Sequence, residues 1–302
     1  MHIFRSAGDL VVHAPAKLNL FFEVGAKRAD GYHEIETLLC PIDLYDSLYF
    51  REDRSGPLQL QCRKVFRFLQ TTSSEPIALP EGHDNLVFRA VELLRRRAGV
   101  TSGAKLRLLK RIPTAAGLGG GSSDAAAALA AANEGWNLHW PPAKLAELAA
   151  ELGSDVPFFF AGGAAICRGR GERVEPVEPG GPLHFVVVRP GAGLATAAVY
   201  AAYRPAGVRE SVGDFAEAFR RGDARQIGRL LFNRLTSAAA GLSPWIERLQ
   251  EEFSRLDCLG QGMTGSGTSY FGLCRHARQA RRMARYLEAK GVGSVFAVRN
   301  CR

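Results

Sequence analysis

The twelve residues from Pro113 to Asp124, Pro-Thr-Ala-Ala-Gly-Leu-Gly-Gly-Gly-Ser-Ser-Asp, narrow what this chain can fold into more than any other stretch. Four glycines end in two serines, and an almost unbroken alanine run, 125–132, follows at once. Alanine is the strongest helix former, so the run reads as a helix and the glycines as the loop that feeds it. Glycine lets backbone approach a ligand closely and takes positive φ without a Cβ penalty. The first helical turn leaves N–H groups unpaired and carries the positive end of the dipole. Such a loop is built to hold an anion, a phosphate above all. A tight helix–sheet packing turn would also use glycine, but one or two suffice for that. The lysine-bearing pattern G-x-x-x-x-G-K-[ST] occurs nowhere in the sequence. Charge neutralisation at a transferred phosphate must therefore come from another part of the chain.

At 302 residues the chain has room for two cores. A content of 46% hydrophobic and 23% charged residues places it among ordinary globular proteins. No apolar run reaches bilayer length, and Met1-His-Ile-Phe-Arg-Ser-Ala-Gly lacks the apolar centre of a signal peptide, so the cytoplasm is the expected location. Six cysteines (Cys40, Cys62, Cys167, Cys258, Cys274, Cys301) are scattered, with no C-x-x-C and no Cys/His cluster. That spacing argues against a disulfide framework and a zinc site. The net charge of +9 suits an anionic small molecule or a nucleic acid. Arg95-Arg96-Arg97 and Arg281-Arg282 ride on helical apolar patterns, so they read as solvated helix faces and not as a nucleic-acid patch.

Leu10 to about Val24 alternates and is rich in β-formers; Ala29-Asp30-Gly31 turns the chain, and Ile35–Leu48 returns extended. Residues 51–83 are polar, carry Pro57, Pro76 and Pro80, and predict only short strands and loops. Asn85–Ala98 has a helical face stopped by Gly99, and Ala104–Leu109 reads as a strand before the glycine loop. Ala143–Leu152 is a helix with Pro142 in its first turn. A glycine-rich hairpin region follows Asp155-Val-Pro-Phe-Phe-Phe. Phe185–Val188 predicts a strand, and Ala195–Tyr203, Val212–Arg221, Ile227–Leu235 and Trp245–Leu256 predict helices. Strand Tyr270–Cys274, helix His276–Lys290 and strand Ser294–Val298 close the chain. Strands and helices mix without a regular βαβ repeat, which predicts an α+β protein of two domains with a seam near residue 162.

His13-Ala-Pro15-Ala-Lys17-Leu-Asn19 is the second informative stretch. Strand alternation puts Pro15, Lys17 and Asn19 on one face and Ala16, Leu18 and Leu20 on the other. An ammonium beside an amide can line a polar cleft; taken by itself the stretch favours a solvent-facing lysine at a sheet edge. Asp155 precedes an apolar run, and a buried carboxylate there would need a cation, for which Lys17 is the choice. An exposed turn aspartate is the alternative. Tyr32 and His33 offer an aromatic ring and an imidazole just after a turn.

These residues, taken in order, carry a resemblance. Pro113–Ser123 resembles the nucleotide-phosphate loop of the GHMP kinases, P-x-x-x-G-L-G-(G)-G-S-S. The set A-P-A-K-L-N-L, D-G-Y-H, G-L-G-G-G-S-S-D-A, G-S-D-V-P-F-F and T-G-S-G-T-S, spread from about residue 11 to 274, is similar to the branch that acts on a cytidine diphosphate-linked methylerythritol. The resemblance implies a two-domain α+β GHMP kinase fold. Its ATP-binding domain, 1–162, would be like domain 2 of ribosomal protein S5, and its C-terminal domain, 163–302, ferredoxin-like. It implies ATP as co-substrate, Mg²⁺, a small-molecule alcohol as acceptor, and no nucleic-acid, membrane or obligatory protein partner.

Residue by residue, the resemblance implies Lys17 and Asp155 as the catalytic pair, with Asp155 the base and Asn19 near the same centre. ATP would meet Pro113, Thr114, Ala115, Ala116, Gly117, Leu118, Gly119, Gly120, Gly121, Ser122 and Ser123, with Asn85 and Lys110 around the adenosine. Tyr32 and His33 would stack on and hydrogen-bond to cytosine, with Thr196 nearby and Tyr200 on the opposite face of the base. Tyr200 stands where the family often has phenylalanine. Residues 51–83 are longer and more basic than the family's connection, and Pro113-Thr-Ala-Ala-Gly is poorer in glycine than its usual loop start. The metal's protein ligands stay open, with Ser123 a possible contact.

Overall fold

Two long strands run through the molecule, and each contributes residues to two compact units. In the computed structural model, which describes residues 1–54, 56–65, 82–205 and 207–301, one unit is Met1–Ala16 with Leu44–Ile112 and Gly119–Gly162. The other is Lys17–Asp43 with Pro113–Leu118 and Gly163–Arg302. Residues 66–81 of the polar 51–83 stretch lie outside the described residues, as does residue 55.

In the first unit β1 (His2–Ser6) pairs antiparallel with the start of β2 (Asp9–Lys27), His2 opposite His13. The second half of β3 (His33–Asp53), then β4 (Leu58–Lys64), α1 (Leu86–Ala98) and β5 (Gly103–Lys110) follow along the chain. β5 is antiparallel to β3, with Ser47 opposite Leu109, and parallel to β4. A helical connection is what lets two parallel strands lie side by side. On α1 the spacing of Val87, Ala90, Val91 and Leu94 puts all four on the buried face. Asn85 caps its start by accepting from Val87 N at 2.9 Å, and Gly99 ends it at φ 67°. Truncating Leu94 to alanine would cost about 2–5 kcal/mol.

The alanine run forms α2 (Gly120–Gly135), followed by α3 (Pro142–Ala149). From Ser123 to Ala132 every residue of α2 is buried. Alanine explains this: a helix apolar on all sides is a buried one, and its thin cylinder admits close neighbours.

In the second unit Ile35–Leu39 of β3 pairs with β6 (Ala165–Gly169), which forms the expected hairpin with β7 (Arg173–Pro176). Next come β8 (His184–Arg189), α4 (Thr196–Ala202), α5 (Gly213–Arg221), α6 (Ala224–Leu230), β9 (Phe232–Asn233) and α7 (Thr236–Ala240). They are followed by α8 (Pro244–Ser254), β10 (Gly260–Met263), β11 (Tyr270–Cys274), α9 (Ala277–Ala289) and β12 (Ser294–Arg299). β10, β11, β8 and β12 form one antiparallel sheet in that order. With α8 and α9 as its crossovers this is the split βαβ, ferredoxin-like arrangement. Ile246, Leu249 and Phe253 of α8 and Met283 and Leu287 of α9 join Val186, Val188 and Tyr270 in its core.

One helix ends earlier than its apolar spacing predicts. Ile227–Leu235 reads as helical, but α6 stops at Leu230 and Phe232–Asn233 pairs in parallel with Phe21–Phe22 of β2. A long-range ladder overrides the local pattern. β10 was not expected at all, because Gly260 and Gly262 hide its alternation.

Candidate active site

Lys17 and Asn19, both buried, share a face of β2 as alternation requires. Lys17 Nζ donates to Asn19 Oδ1 at 2.5 Å. Asn19 Nδ2 donates to Thr37 Oγ1 at 3.0 Å, and Thr37 in turn donates to Phe21 O. The Asn19 backbone N–H donates to Thr264 Oγ1 at 3.0 Å, and the Thr264 hydroxyl lies 3.2 Å from Asn19 Oδ1 and 3.3 Å from Gly117 O. Lys17 N donates to Leu118 O at 2.9 Å, and Ser269 N to Ala116 O at 3.3 Å. The first half of the glycine-rich loop is thus hydrogen-bonded both to the lysine strand and to the turn 264–269. Gly117, at φ 73°, admits no substitute: a Cβ there would run into the Thr264 carbonyl oxygen. On the other side of the turn Thr196 Oγ1 and Ser266 Oγ lie 2.9 Å apart.

The second half of the loop, Gly119–Ser123, opens α2 in the first unit. Gly119 takes a left-handed conformation, and Ser123 N makes the first intrahelical bond to Gly119 O. The preceding N–H groups therefore face outward at the positive end of a 16-residue helix, suited to an anion. Among the described residues, Ser123 Oγ is buried without a hydrogen-bond partner, and so is Asp124 Oδ1.

Lys110 is placed where sequence reasoning did not look. Its ammonium is buried between Asp46 and Asp124, donating to Asp46 Oδ2 and, at 2.5 Å, to Asp124 Oδ2. Asp46 also accepts from the backbone N–H groups of Arg111 and Ile112, just before the loop. Burial alone would lower the Lys110 pKa; the two carboxylates outweigh it and hold the ammonium above its ordinary value. Burial pushes the Asp124 carboxyl well up, with Asp46 adding to the rise against the pull of Lys110. Asp124 follows Ser123 directly and had a signal in its place on the first helical turn. Asp46 had none. Asn85 caps α1 through its Oδ1.

His33 Nδ1 lies 3.1 Å from Gly25 O. A carbonyl only accepts, so Nδ1 carries a proton toward it, and in that tautomer Nε2 is the acceptor nitrogen. Its ring meets Tyr200 at 5.5 Å and Tyr203 edge-on at 5.8 Å. Tyr203 donates to Val24 O at 3.1 Å. The Tyr32 ring is exposed, and Arg170 stands 5.1 Å over it. Tyr32, His33 and Tyr200 are thus aromatic groups of one unit, two of them in ring contact. Asp155 is half-buried in the turn before Pro157–Phe160, with Val156, Phe158 and Phe159 beneath the surface. Among the described residues no group of three His, Cys, Asp or Glu is placed to hold a metal ion.

Known sequences and structures agree on one family. Residues 85–163 match the GHMP kinases N terminal domain and residues 215–293 the GHMP kinases C terminal domain. A 4-diphosphocytidyl-2-C-methyl-D-erythritol kinase of Pelotomaculum thermopropionicum is 44% identical over 274 residues, covering 90% of this chain and 91% of that one. The chain belongs to this family of GHMP kinases. A crystal structure of 4-(cytidine 5'-diphospho)-2C-methyl-D-erythritol kinase superposes on the kinase with TM-score 0.80 at 37% identity, covering 97% of this chain and all of that one. A homoserine kinase from Cytophaga hutchinsonii follows the same fold, at TM-score 0.77 and 18% identity over 99% and 96% of the two chains.

Proposed function

We infer that this kinase transfers the γ-phosphoryl group of ATP to the C2 hydroxyl of 4-diphosphocytidyl-2-C-methyl-D-erythritol, a step in the non-mevalonate route to isoprenoid precursors. The observation that carries the mechanism is the hydrogen-bonded set Lys17–Asn19–Thr264–Gly117, which fixes a lysine against the phosphate loop. Phosphoryl transfer depends chiefly on positioning and charge stabilisation. The N–H groups of the loop and of the first turn of α2 receive the nucleotide phosphates. Lys17 supplies the cation that the loop itself lacks and stabilises negative charge on the transferring group. Asp155 takes the proton of the C2 hydroxyl as its oxygen bonds to γ-phosphorus and the bond to the ADP oxygen breaks.

Asn85 and Lys110 serve the adenosine side; with its ammonium committed to Asp46 and Asp124, Lys110 does so by bracing the loop. Mg²⁺ would offset phosphate charge when bound. The donor set fits: Ser123 Oγ is a buried hydroxyl without a partner at the helix start, and hard cations take their remaining ligands from phosphate and water.

Cytosine stacks against Tyr32 and Tyr200, with Asn19 and Thr196 toward the rest of the substrate. His33, in the tautomer that keeps its proton on Nδ1, accepts at Nε2 from its exocyclic amine, which uracil does not offer. We place the enzyme in the cytoplasm, with residues 1–162 as the ATP-binding domain and 163–302 as the C-terminal domain. It acts there on small molecules without nucleic-acid, membrane or obligatory protein partners. No described helix is long and apolar enough to cross a membrane. ADP release with ATP, Mg²⁺ and each of three alcohols tests the reading. Turnover is expected with the cytidyl substrate and not with homoserine or mevalonate; the reverse pattern would assign the kinase another alcohol.

A further inference from the structure

Asn233 lies in the two-residue strand that replaces the expected helix end. Its pairing, Phe22 opposite Asn233, docks it on β2 close after Lys17 and Asn19. The carboxamide has no freedom. Nδ2 donates to Met263 O at 2.8 Å and to Gly265 O at 2.9 Å, while Oδ1 accepts from Leu235 N at 2.9 Å. Two carbonyls on one side and an N–H on the other fix which end is nitrogen.

Those two carbonyls flank Thr264, the residue whose hydroxyl meets the Asn19 N–H, Asn19 Oδ1 and Gly117 O. Gly265 packs onto the reactive end of the strand: a Cβ built on it would stand 3.4 Å from Lys17 Nζ and 3.5 Å from Asn19 Oδ1. The turn is therefore the wall against which the ammonium rests, and Asn233 clamps that wall at both ends. We propose that Asn233 is a positioning residue for Lys17, acting through Thr264 and Gly265; this rests on the assignment of Lys17 to phosphoryl transfer.

Aspartate is nearly isosteric with asparagine but turns both donors into acceptors that face carbonyl oxygens. Alanine removes the clamp without repulsion. A positioning role therefore predicts turnover in the order wild type, Asn233→Ala, Asn233→Asp, with kcat of the aspartate variant down about 100-fold, the effect of roughly an ångström of misplacement. Both KM values should stay within about threefold, because the Asn233 carboxamide spends its donors and acceptor on Met263, Gly265 and Leu235. A role in filling space predicts the opposite order, since alanine leaves a hole and aspartate does not. The experiment is steady-state kinetics of both variants, with thermal unfolding to establish that each is folded and Lys17→Ala assayed in parallel. If the aspartate variant fails to fold, a fall in kcat of the alanine variant at unchanged KM carries the test. Wild-type kcat in Asn233→Asp beside a silent Lys17→Ala overturns the role of Asn233 alone. Full turnover by Lys17→Ala overturns it together with the role of the lysine.

Discussion

Lys110 Nζ lies 2.5 Å from Asp124 Oδ2, and both groups are buried, one at the end of β5 and the other near the start of α2. With Asp46 on the same ammonium, two carboxylates share one cation. Burial pushes the Asp124 carboxyl well above its ordinary value, and Asp46 on the same ammonium adds to the rise against the pull of Lys110.

The stability consequence has a definite sign. A carboxyl whose pKa is higher in the folded than in the unfolded chain contributes most below its unfolded value and loses that contribution as pH rises through the folded one. Asp124→Asn should therefore unfold at no lower temperature than wild type at pH 7.5, with the advantage growing as pH rises. Lys110→Met strands two carboxylates and should cost about 3–5 kcal/mol. Thermal unfolding of both variants across pH checks this; a larger loss from Asp124→Asn than from Lys110→Met would contradict it.

Glu23 and Arg234 show the reverse sign. The buried Glu23 carboxylate accepts from Arg234 at 2.8 and 2.7 Å and from the N–H groups of Val24 and Glu210, both at 2.8 Å. Burial would raise its pKa, but these donors prevail and hold it below the usual 4.5. Its contribution is present above that value and is lost as pH falls through the folded pKa. Arg234→Met should cost about 3 kcal/mol at pH 7 and flatten the acid limb of the stability curve. An equal slope in variant and wild type would sink the argument.

The loop prediction concerns Gly117. Its left-handed φ and its contact with the Thr264 carbonyl leave no room for a methyl group. Gly117→Ala should lower kcat/KM for ATP about 100-fold by displacing the cradle. Titration with a non-hydrolysable ATP analogue separates lost binding from lost chemistry, and wild-type values in both would refute the close approach.

His33 decides the base. With Nδ1–H held by Gly25 O, the Nε2 of that tautomer is an acceptor. His33→Ala should raise KM for the cytidyl substrate at least about tenfold with KM for ATP unchanged. A uridine diphosphate-linked analogue should be a poor substrate for wild type and show little further loss in the variant. Equal use of both bases by wild type would remove the acceptor role.

Much of this was legible in sequence because the cues were local. The glycine cluster before alanines marked the start of α2, alternation put Lys17 beside Asn19, and Tyr270–Cys274 was bounded as a strand by glycines and turn residues. What escaped depends on partners far away in the chain. Phe232–Asn233 looks helical until Phe21–Phe22 pairs with it. That Lys110 is also buried against Asp46, 64 residues earlier, leaves no mark near either residue in the sequence. Strand pairing and buried ion pairs are tertiary choices, and no spacing within a window of ten residues encodes them.

The most direct test of the account is the proton-coupled ³¹P spectrum of the product formed from ATP and 4-diphosphocytidyl-2-C-methyl-D-erythritol. C2 is tertiary and carries no hydrogen, so phosphate placed there has no H–C–O–P coupling. The account predicts a new phosphomonoester singlet appearing in step with ADP. A doublet or triplet, from phosphate on a secondary or primary hydroxyl, or inorganic phosphate alone, would contradict it.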